Sequence, residues 1–441
     1  MFDSTLIDSL LIRIFRYRTR GFMQMEEADG RVPPQPELAP YLYVHIPFCE
    51  VLCPFCSFHR VQHCAAQARR YFAALRQEIR LYAAAGYRFS GVYFGGGTPT
   101  IDPPELLETI ALVRRLFPVG EVSVETNPRD LKPELIAALR AAGVTRLSVG
   151  VQSFDDGLLK EMGRHDQYGS GAEIRERLRA AAGHFPTLNV DLIFNQPHQT
   201  LASLQRDLAI FRTLGANQIS LYPLMTSPTV LHRMAKTMGR PDRRRLRNFY
   251  QTILRELAPD FAPSSAWCFT KAGQGSDEYL VASENYVGVG SGAFSYLDGT
   301  LYSTSFSLQA YGERLRAGLT GITTRHQLGE TDRMRYTLLI KMFGLGLDRA
   351  WAEARYGRRF FRQLWGELRT LEVLGAATRD AHGWRLTGRG MFWLMLMMSE
   401  FFESVNAYRD AMRQRVGAEL GPAAGQDTVP AAAVRGLEVT A

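Results

Sequence analysis

Three cysteines near the start of the chain have the type and spacing to bind iron. Cys49, Cys53 and Cys56 form a C-x3-C-x2-C run directly after an apolar, β-branched segment. Thiolates are the usual protein ligands of iron–sulfur clusters, and one tight loop can bring three of them to a single cube. Three ligands leave one of the four irons of a [4Fe-4S] cube open to an external chelating ligand. The run therefore predicts such a cluster.

A structural zinc ion is the alternative for the same cysteines. Zinc in a structural site normally takes a fourth protein ligand at a defined spacing. His45, His59, His63 and Cys64 are near enough in the sequence to supply one. Both metals stay open on the cysteine spacing alone.

The two remaining cysteines carry less information. The chain has five cysteines, an odd number of which three are clustered, so a reduced compartment fits better than a secreted disulfide framework. Cys64 is expected to be a buried or incidental thiol. Cys268 is expected in the core, with a position facing the substrate as the alternative.

Glycines and polar residues stand at or near the ends of successive apolar segments. In parallel α/β folds, the carboxyl ends of the strands line the mouth where ligands bind. A glycine run after a buried strand, followed by Thr-Pro, is expected to be a binding edge rather than a flexible turn. The residues concerned are Gly95, Gly96, Gly97, Thr98, Glu125, Gln152, Arg164 and Asp191.

Two segments together, YVHIPFCxxxCxFCSF and GGGTPT, resemble the radical S-adenosylmethionine (SAM) superfamily. More narrowly, residues 41–300 resemble the oxygen-independent coproporphyrinogen III oxidase-like (HemN-like) group, and the C-terminal region resembles it more loosely. The resemblance favours the cluster over zinc. It also implies an α/β fold, a radical SAM partial (β/α)6 barrel with a small helical or winged C-terminal domain.

The resemblance implies roles for individual residues. Cys49, Cys53 and Cys56 would bind three irons of the cluster, and SAM would chelate the fourth through its amino and carboxylate groups. Tyr43 is expected to lie near both cofactors and to be catalytic. The residues expected to contact the cofactors are Tyr43, Phe55, Gly95, Gly96, Gly97, Thr98, Glu125, Gln152, Arg164 and Asp191. The implied chemistry is reductive cleavage of SAM to a 5'-deoxyadenosyl radical, which abstracts hydrogen from a substrate.

The elements that must position these residues alternate along the chain. Apolar segments separated by helical stretches predict strands at 41–46, 91–94, 121–126, 146–151, 188–194 and 218–224. The alternation indicates parallel βα units. By itself it allows either a doubly wound sheet or a barrel.

Five segments are predicted from the composition and the resemblance together. Residues 1–39 form an amphipathic segment and a proline-rich linker, and 40–226 form the barrel. Residues 227–325 extend the barrel on the substrate side, 326–410 form the C-terminal domain, and 411–441 form a loose tail.

Two apolar segments raise the question of lipids. Residues 1–23 have helical apolar spacing followed by arginines, which predicts either a helix docked on the domain or a helix on a membrane surface. The methionine-rich segment 391–402 predicts a buried helix. Together with the N-terminal segment, it also allows the more specific hypothesis of an apolar, lipid-like substrate. No apolar run approaches the roughly 20 residues that a membrane span needs.

The net charge of +8 suits an acidic substrate, an anionic membrane surface or nucleic acid, and selects none of them. The arginine-rich stretch near residue 240 favours a solvated helix face, so no nucleic-acid partner is expected. The expected partners are a small-molecule or lipid-like substrate and a flavodoxin- or ferredoxin-type electron donor. The expected location is the cytoplasm, with peripheral contact at the inner face of the membrane as an option.

Departures from the HemN-like pattern bear on the reaction. Ser57 stands where the oxidases commonly carry another cysteine, and Phe294 stands where relatives often have histidine. The first expectation is therefore transfer of a methyl or methylene group to an unsaturated or lipid-like carbon, with a second SAM as donor. The alternatives are a haem-handling protein, either chaperone or haem-cleaving, and a coproporphyrinogen III oxidase.

Overall fold

Six parallel strands form the centre of the protein in a computed structural model, which describes residues 4–271 and 283–420. Their side chains are almost continuously buried on both faces, as in sheets covered on both sides. All six predicted strands are present, with ends within two residues of the prediction. The strands of the chain are β1 (Glu26–Glu27), β2 (Tyr41–Ile46), β3 (Phe48–Cys49), β4 (Val61–Gln62), β5 (Gly91–Gly96), β6 (Glu121–Thr126), β7 (Arg146–Gln152), β8 (Thr187–Phe194), β9 (Gln218–Pro223), β10 (Phe261–Pro263), β11 (Cys268–Lys271), β12 (Tyr286–Val289), β13 (Phe294–Leu297), β14 (Thr300–Thr304), β15 (Ile322–Gln327), β16 (Gly346–Asp348), β17 (Ala377–Arg379) and β18 (Gly383–Leu386).

The sheet continues past the six parallel strands at both edges. β12 pairs in parallel with β2, and β13, β14, β15 and β1 follow it in antiparallel order, while β11 and β10 extend the β9 edge. The glycine-rich segment 284–306 therefore supplies β12, β13 and β14 to the sheet. The predicted linker also lies on this sheet, because it contributes β1, and its Pro33 and Pro34 carbonyls accept from the Tyr87 hydroxyl.

Side-chain caps begin the helices that connect the parallel strands. Asp102 accepts from the backbone N–H of Glu105, Ser170 and Glu173 form a capping box, and Thr200 caps the helix that follows β8. These caps fix where each helix starts relative to the preceding strand end. The helices are α1 (Ser4–Thr19), α2 (Ala65–Ala84), α3 (Pro103–Leu116), α4 (Pro133–Ala141), α5 (Asp156–Glu161), α6 (His165–Tyr168), α7 (Gly171–Ala181), α8 (Leu201–Arg212), α9 (Pro228–Thr237), α10 (Leu246–Leu257), α11 (Leu308–Arg316), α12 (Glu330–Phe343), α13 (Arg349–Tyr356), α14 (Arg359–Gln363), α15 (Trp365–Val373), α16 (Gly388–Arg415) and α17 (Gly417–Leu420).

The C-terminal region is helical and carries a small sheet of β16, β18 and β17. β17 and β18 form an antiparallel hairpin. The long helix α16 follows, and its first half is buried from Gly390 to Leu396. The methionine-rich segment is thus a buried helix, as predicted. The tail from 421 lies outside the described residues, and the segment boundaries stay a prediction.

The N-terminal helix α1 packs against α16. The Asp8 carboxylate accepts from the Arg247 guanidinium at 2.6 and 2.8 Å and from the Trp393 indole at 2.8 Å. Arg16 pairs with the buried Glu400. The docked-helix interpretation is confirmed, and contact of the outer face with a membrane stays a prediction. Within the described ranges, no helix combines the length and apolar character that a membrane span requires.

The arginine-rich stretch is only partly a solvated helix face. Arg243 pairs with Glu400 and Glu403 of α16, whereas Arg244 is 85% exposed and pairs locally with Asp242. Arg243 therefore joins this stretch to α16.

We expect Asp8→Ala to lower the free energy of unfolding by about 1–3 kcal/mol, because it leaves two partly buried donors without their acceptor. Urea unfolding followed by circular dichroism measures the change. Asp29→Ala is the matched control: its carboxylate is 70% exposed beside an 84% exposed Arg31, so its effect should stay within about 0.5 kcal/mol. Equal unfolding midpoints for the two variants would contradict the role given to Asp8.

Candidate functional site

The three clustered cysteines lie in one loop at the carboxyl end of the parallel sheet. The loop leaves β2, forms β3 and returns through β4, which pairs with β3 in parallel. The Arg60 guanidinium donates to the carbonyls of Cys53 at 2.6 Å and Cys56 at 3.0 Å. Cys49 and Cys53 are buried and Cys56 is partly buried. All three border one cavity.

These thiols are not arranged around a single ion. Among the described residues, no three His, Cys, Asp or Glu side chains converge closely enough to hold one metal ion. Ligands of a cube bind separate irons, so they stand farther apart than the ligands of one ion. The zinc alternative therefore gains no support, and His45 and His59 are engaged in hydrogen bonds with other groups.

The environment of Cys49 disfavours its thiolate. Burial raises the pKa of the Cys49 thiol to about 12, and the nearby Cys56 adds to the rise. A thiol must lose its proton to bind metal. Iron binding at Cys49 would therefore have to supply the stabilisation that the buried thiolate otherwise lacks.

The other two cysteines do not border the cavity. Cys268 is buried in β11, where its sulfur accepts a weak bond from Ser220 at 3.8 Å, so the predicted core position is confirmed. Cys64 is exposed directly before α2, so of the two alternatives for this residue, buried or incidental, the buried one is wrong.

The glycine run after β5 lies directly against the cysteine loop. The backbone N–H groups of Gly97 and Thr98 donate to the carbonyls of Ile46 and Phe48, both at 2.8 Å. A Cβ on Gly97 would stand 2.6 Å from the Phe48 carbonyl oxygen and 3.0 Å from Cys49 Sγ. Only glycine allows this approach. The run is therefore a fixed edge of the site rather than a flexible turn, as predicted.

Glu125 holds the same edge from the neighbouring strand. Its carboxylate accepts from the Tyr93 hydroxyl at 2.8 Å and from the N–H of Gly96 at 3.1 Å. Gly96 has a φ of 118°, in the region that favours glycine. Glu125 and Gly96 border the cavity, whereas Gly95 does not and instead packs against the Glu125 carboxylate.

A chain of buried hydrogen bonds joins two of the cysteines through neighbouring strand ends. Thr98 Oγ1 lies 3.7 Å from Cys49 Sγ and accepts from Asn127 Nδ2 at 2.9 Å. Arg164 donates to Asn127 Oδ1 at 2.9 Å, and its other terminal nitrogen lies 3.6 Å from Cys53 Sγ. Sequence reasoning missed Asn127. Its place directly after β6, among the polar strand ends, is the signal that could have identified it.

Gln152 and Asp191 border the cavity from the next two strands, as predicted. Gln152 has a φ of 76°, which a residue with a Cβ rarely adopts, beside a register shift between β7 and β8. Asp191 accepts from the Ser148 hydroxyl at 2.9 Å and the Asn189 amide at 2.7 Å. These bonds place a carboxylate at the cavity wall.

Tyr43 and Phe55 also border the cavity. Nε2 of His45 donates to the His59 carbonyl at 2.9 Å, so Nδ1 of His45 accepts from the Tyr43 hydroxyl at 2.9 Å. Burial lowers the pKa of His45 to about 4 and raises the pKa of the Tyr43 hydroxyl. Tyr43 is therefore a fixed, neutral phenol. Its catalytic role stays a prediction.

Much of the remaining wall comes from residues that sequence reasoning did not single out. They lie at the end of the N-terminal segment, in or beside β9, β11 and β12, and in α12 and α16. The aromatic and methionine content of 391–402 was the available signal, and it predicts a buried helix equally well. The residues are Met23, Tyr222, Met225, Trp267, Tyr286, Tyr336, Met398, Phe401 and Phe402.

We expect Asn127→Ala to lower the free energy of unfolding by about 1–3 kcal/mol, because it removes the donor to Thr98 and an acceptor for Arg164. Asn127→Asp keeps the acceptor and removes only the donor, so it should lose less. Urea unfolding of the three proteins at one neutral pH measures both differences. Unchanged midpoints in both variants would show that this network contributes nothing to stability.

Comparison with known proteins places these features in a family. The model of the radical SAM superfamily matches residues 43–211. The haem chaperone HemW of Mycobacterium tuberculosis strain H37Rv is 31% identical over 369 residues, which cover 79% of this chain and 91% of that protein. The oxygen-independent coproporphyrinogen III oxidase of Bradyrhizobium diazoefficiens is 39% identical over 170 residues, or 37% of each chain.

The solved structure of coproporphyrinogen III oxidase (HemN) from Escherichia coli has the same fold. It matches with a TM-score of 0.68 at 23% identity and covers 83% of this chain and 91% of that one. The predicted radical SAM fold with a helical C-terminal region is thereby confirmed. The chain belongs to the radical SAM superfamily, whose cofactors are a [4Fe-4S] cluster and SAM, and within it to the HemN-like group with the HemW haem chaperones.

Proposed function

We propose that this chain is a haem-handling protein of the HemW type, which binds haem or a closely related tetrapyrrole in the cavity beside the cysteine loop. The observation that carries the proposal is the extent of its similarity to the M. tuberculosis haem chaperone, which includes 91% of that protein. The B. diazoefficiens oxidase is more identical, but over 37% of its length.

The cavity lining supports a planar, largely apolar ligand. The rings of Tyr222 and Trp267 lie 5.2 Å apart, and Tyr336, Phe401 and Phe402 add further aromatic surface from the two long C-terminal helices. Aromatic side chains contribute large apolar area and favourable ring contacts. A tetrapyrrole presents two broad ring faces, so such walls suit it better than they suit a small polar substrate.

Phe294 replaces a histidine that relatives often have, but its place in the fold is compatible with a bound tetrapyrrole. Its ring borders the cavity, 5.8 Å from the Tyr408 ring and 5.3 Å from the Arg409 guanidinium. A phenyl ring cannot ligate iron, but it offers an apolar face. The substitution therefore changes how a tetrapyrrole would be held rather than closing the site to one.

The comparisons do not support methyl or methylene transfer, which was the first expectation from the departures of this sequence from the HemN-like pattern. The relatives with substantial similarity are named as haem chaperones and coproporphyrinogen oxidases. The haem-handling alternative therefore becomes the main proposal, and oxidation of coproporphyrinogen III is the second candidate.

We propose Cys49, Cys53 and Cys56 as the cluster ligands, since all three thiols border one cavity. For SAM, the supporting observation is a buried donor: Arg164 is 4% exposed, and its Nε has no hydrogen-bond partner among the described residues. The carboxylate of SAM would supply an acceptor there.

The edge from Gly96 to Thr98, with Glu125, Gln152 and Asp191, borders the same space. When bound, the cluster and SAM supply a 5'-deoxyadenosyl radical through one-electron cleavage of SAM. The residues of this chain would hold both cofactors in place and keep water from them. The electron donor, expected to be of flavodoxin or ferredoxin type, is replaced by dithionite in the assays.

We expect alanine at Cys49, Cys53 or Cys56 to abolish cluster assembly, because each would ligate a different iron. Anaerobic reconstitution should load the parent chain with about four irons and leave these variants nearly free of iron. Cys268→Ala and Cys64→Ala should load as the parent does. Iron loss in Cys268→Ala would contradict the three-ligand assignment.

We expect the reconstituted chain to bind haem near one equivalent, measured by Soret absorbance. Phe401→Ala removes an aromatic wall and should weaken binding by about tenfold. Trp365→Ala, at a residue 67% exposed, is the matched control and should have no effect.

The same preparation separates the candidate functions. With SAM and dithionite, decarboxylated product from coproporphyrinogen III would favour the oxidase, and S-adenosylhomocysteine would favour methyl transfer. Absence of haem binding, with either product formed, would contradict the haem-handling proposal.

A further inference from the structure

Three arginines meet where the C-terminal helix passes the cysteine loop. Arg60 binds two carbonyls of that loop and borders the cavity. Arg413 of α16 donates to the Arg60 carbonyl at 3.3 Å. Arg409, one helical turn earlier, also borders the cavity and donates to the Asn406 side chain at 2.8 Å. The three arginines thus come from two distant parts of the sequence; Arg60 and Arg409 border the cavity, and Arg413 contacts the Arg60 backbone.

Aromatic rings fix the position of Arg409. Its guanidinium lies 5.1 Å from the centre of the Phe58 ring and 5.3 Å from that of Phe294. Cation–π contacts of this kind hold the guanidinium plane, and the forked N–H geometry of an arginine matches a carboxylate. A planar apolar ligand against Phe294 would therefore reach Arg409 with an acidic substituent.

Arg60 has buried donors that the protein does not use. Its side chain is 2% exposed, and its Nε and Nη1 have no hydrogen-bond partner among the described residues; the same holds for Nε of Arg413. A buried donor without an acceptor costs stability. An anionic ligand would remove that cost.

The charges around Arg413 also favour an anionic ligand. The pKa of Arg413 is lowered, first by burial and then by the charge of Arg60. Asp410 opposes this effect, and its carboxylate also accepts from the Thr229 N–H at 3.0 Å. An added anion between the arginines would relieve the repulsion between Arg60 and Arg413.

We infer that Arg60 and Arg409, which border the cavity, form a carboxylate-binding site for the acidic side chains of the cavity's ligand, with Arg413 as a neighbouring cation that adds positive charge. The inference rests on the proposed function and makes it more specific: the ligand is a tetrapyrrole with free propionates, its ring among the aromatic side chains and its propionates on these arginines. Within the described ranges no histidine borders the cavity, so ring and carboxylate contacts carry the binding. The site is separate from Arg164, the residue proposed for SAM.

Haem and its dimethyl ester test this inference, because the ester keeps the ring and lacks the carboxylates. The reconstituted chain should bind haem at least about tenfold more tightly than the ester, as expected for loss of a charge-assisted bond. Arg409→Gln and Arg413→Gln should each weaken haem binding by about tenfold and leave ester binding unchanged. Arg415→Gln, at an exposed position of the same helix, is the matched control and should change neither.

Iron content is measured for every variant, so that a damaged cysteine loop is not mistaken for a lost carboxylate contact. Equal affinity of the parent chain for haem and ester would overturn the inference while leaving the haem-handling proposal intact. So would equal losses for both ligands in Arg409→Gln. If the parent binds no haem, the proposed function fails, and coproporphyrin III against its tetramethyl ester decides the inference. A preference for the free acid that Arg409→Gln abolishes supports the site, and no preference overturns it.

Discussion

The cysteine loop has little regular structure of its own, so buried hydrogen bonds from other elements determine its shape. The N–H groups of Gly97 and Thr98 bind carbonyls of the loop and of β2, and Arg60 binds the carbonyls of Cys53 and Cys56. Asn127 connects Thr98 to Arg164, which reaches a second cysteine sulfur. Because each of these groups is buried, losing one partner leaves another unsatisfied at a cost that water cannot relieve. The loop and the strand ends therefore behave as one unit, and this unit sets the positions of the three thiols.

The helix α16 connects the site to the rest of the molecule. Its first half is packed in the core and pairs with α1 through Trp393 and Glu400. Its second half borders the cavity and carries Tyr408, whose hydroxyl bonds to Ser303 and Thr324 of the antiparallel sheet extension at 3.1 and 2.9 Å. The same helix thus closes the fold and forms the wall of the site. A ligand in the cavity would bind only the folded chain and would stabilise all of these contacts together.

The sequence predicts the strands and the site residues that follow from a local residue pattern. It does not predict which distant segments come together around the cavity. The six strands follow from apolar runs, and Glu125 and Gln152 follow from their positions at strand ends. Asn127, directly after β6, carries the same signal and was missed. Arg60 escapes notice because nothing in its immediate neighbours shows that it is buried beside the cysteines. The wall from α12 and α16 cannot be read from sequence, since a buried helix gives the same pattern whether or not it borders a cavity.

Two questions could not be decided from the sequence because both answers to each are compatible with the same residues. The apolar residues of an amphipathic helix such as α1 have the same spacing whether the helix packs on a protein or on a membrane. In the structure the Asp8 carboxylate accepts hydrogen bonds from Arg247 and Trp393, which shows that one face of α1 is docked on protein. The reaction was open in a similar way. Phe294 reads as a lost ligand when considered alone, but in the fold it stands beside Arg409 at the cavity.

The cavity has two kinds of wall, and this division suggests how one fold can serve different substrates. The polar strand ends and the glycine edge lie within the span that matches the superfamily, residues 43–211. The wall formed by β12, β13, α12 and α16 lies outside that span. Chemistry common to a superfamily needs constant geometry around the cofactors, whereas substrate choice depends on the surfaces that face them. If the proposed function holds, the aromatic and basic character of the second wall is the part of this chain that would distinguish a tetrapyrrole with free carboxylates from other radical SAM substrates.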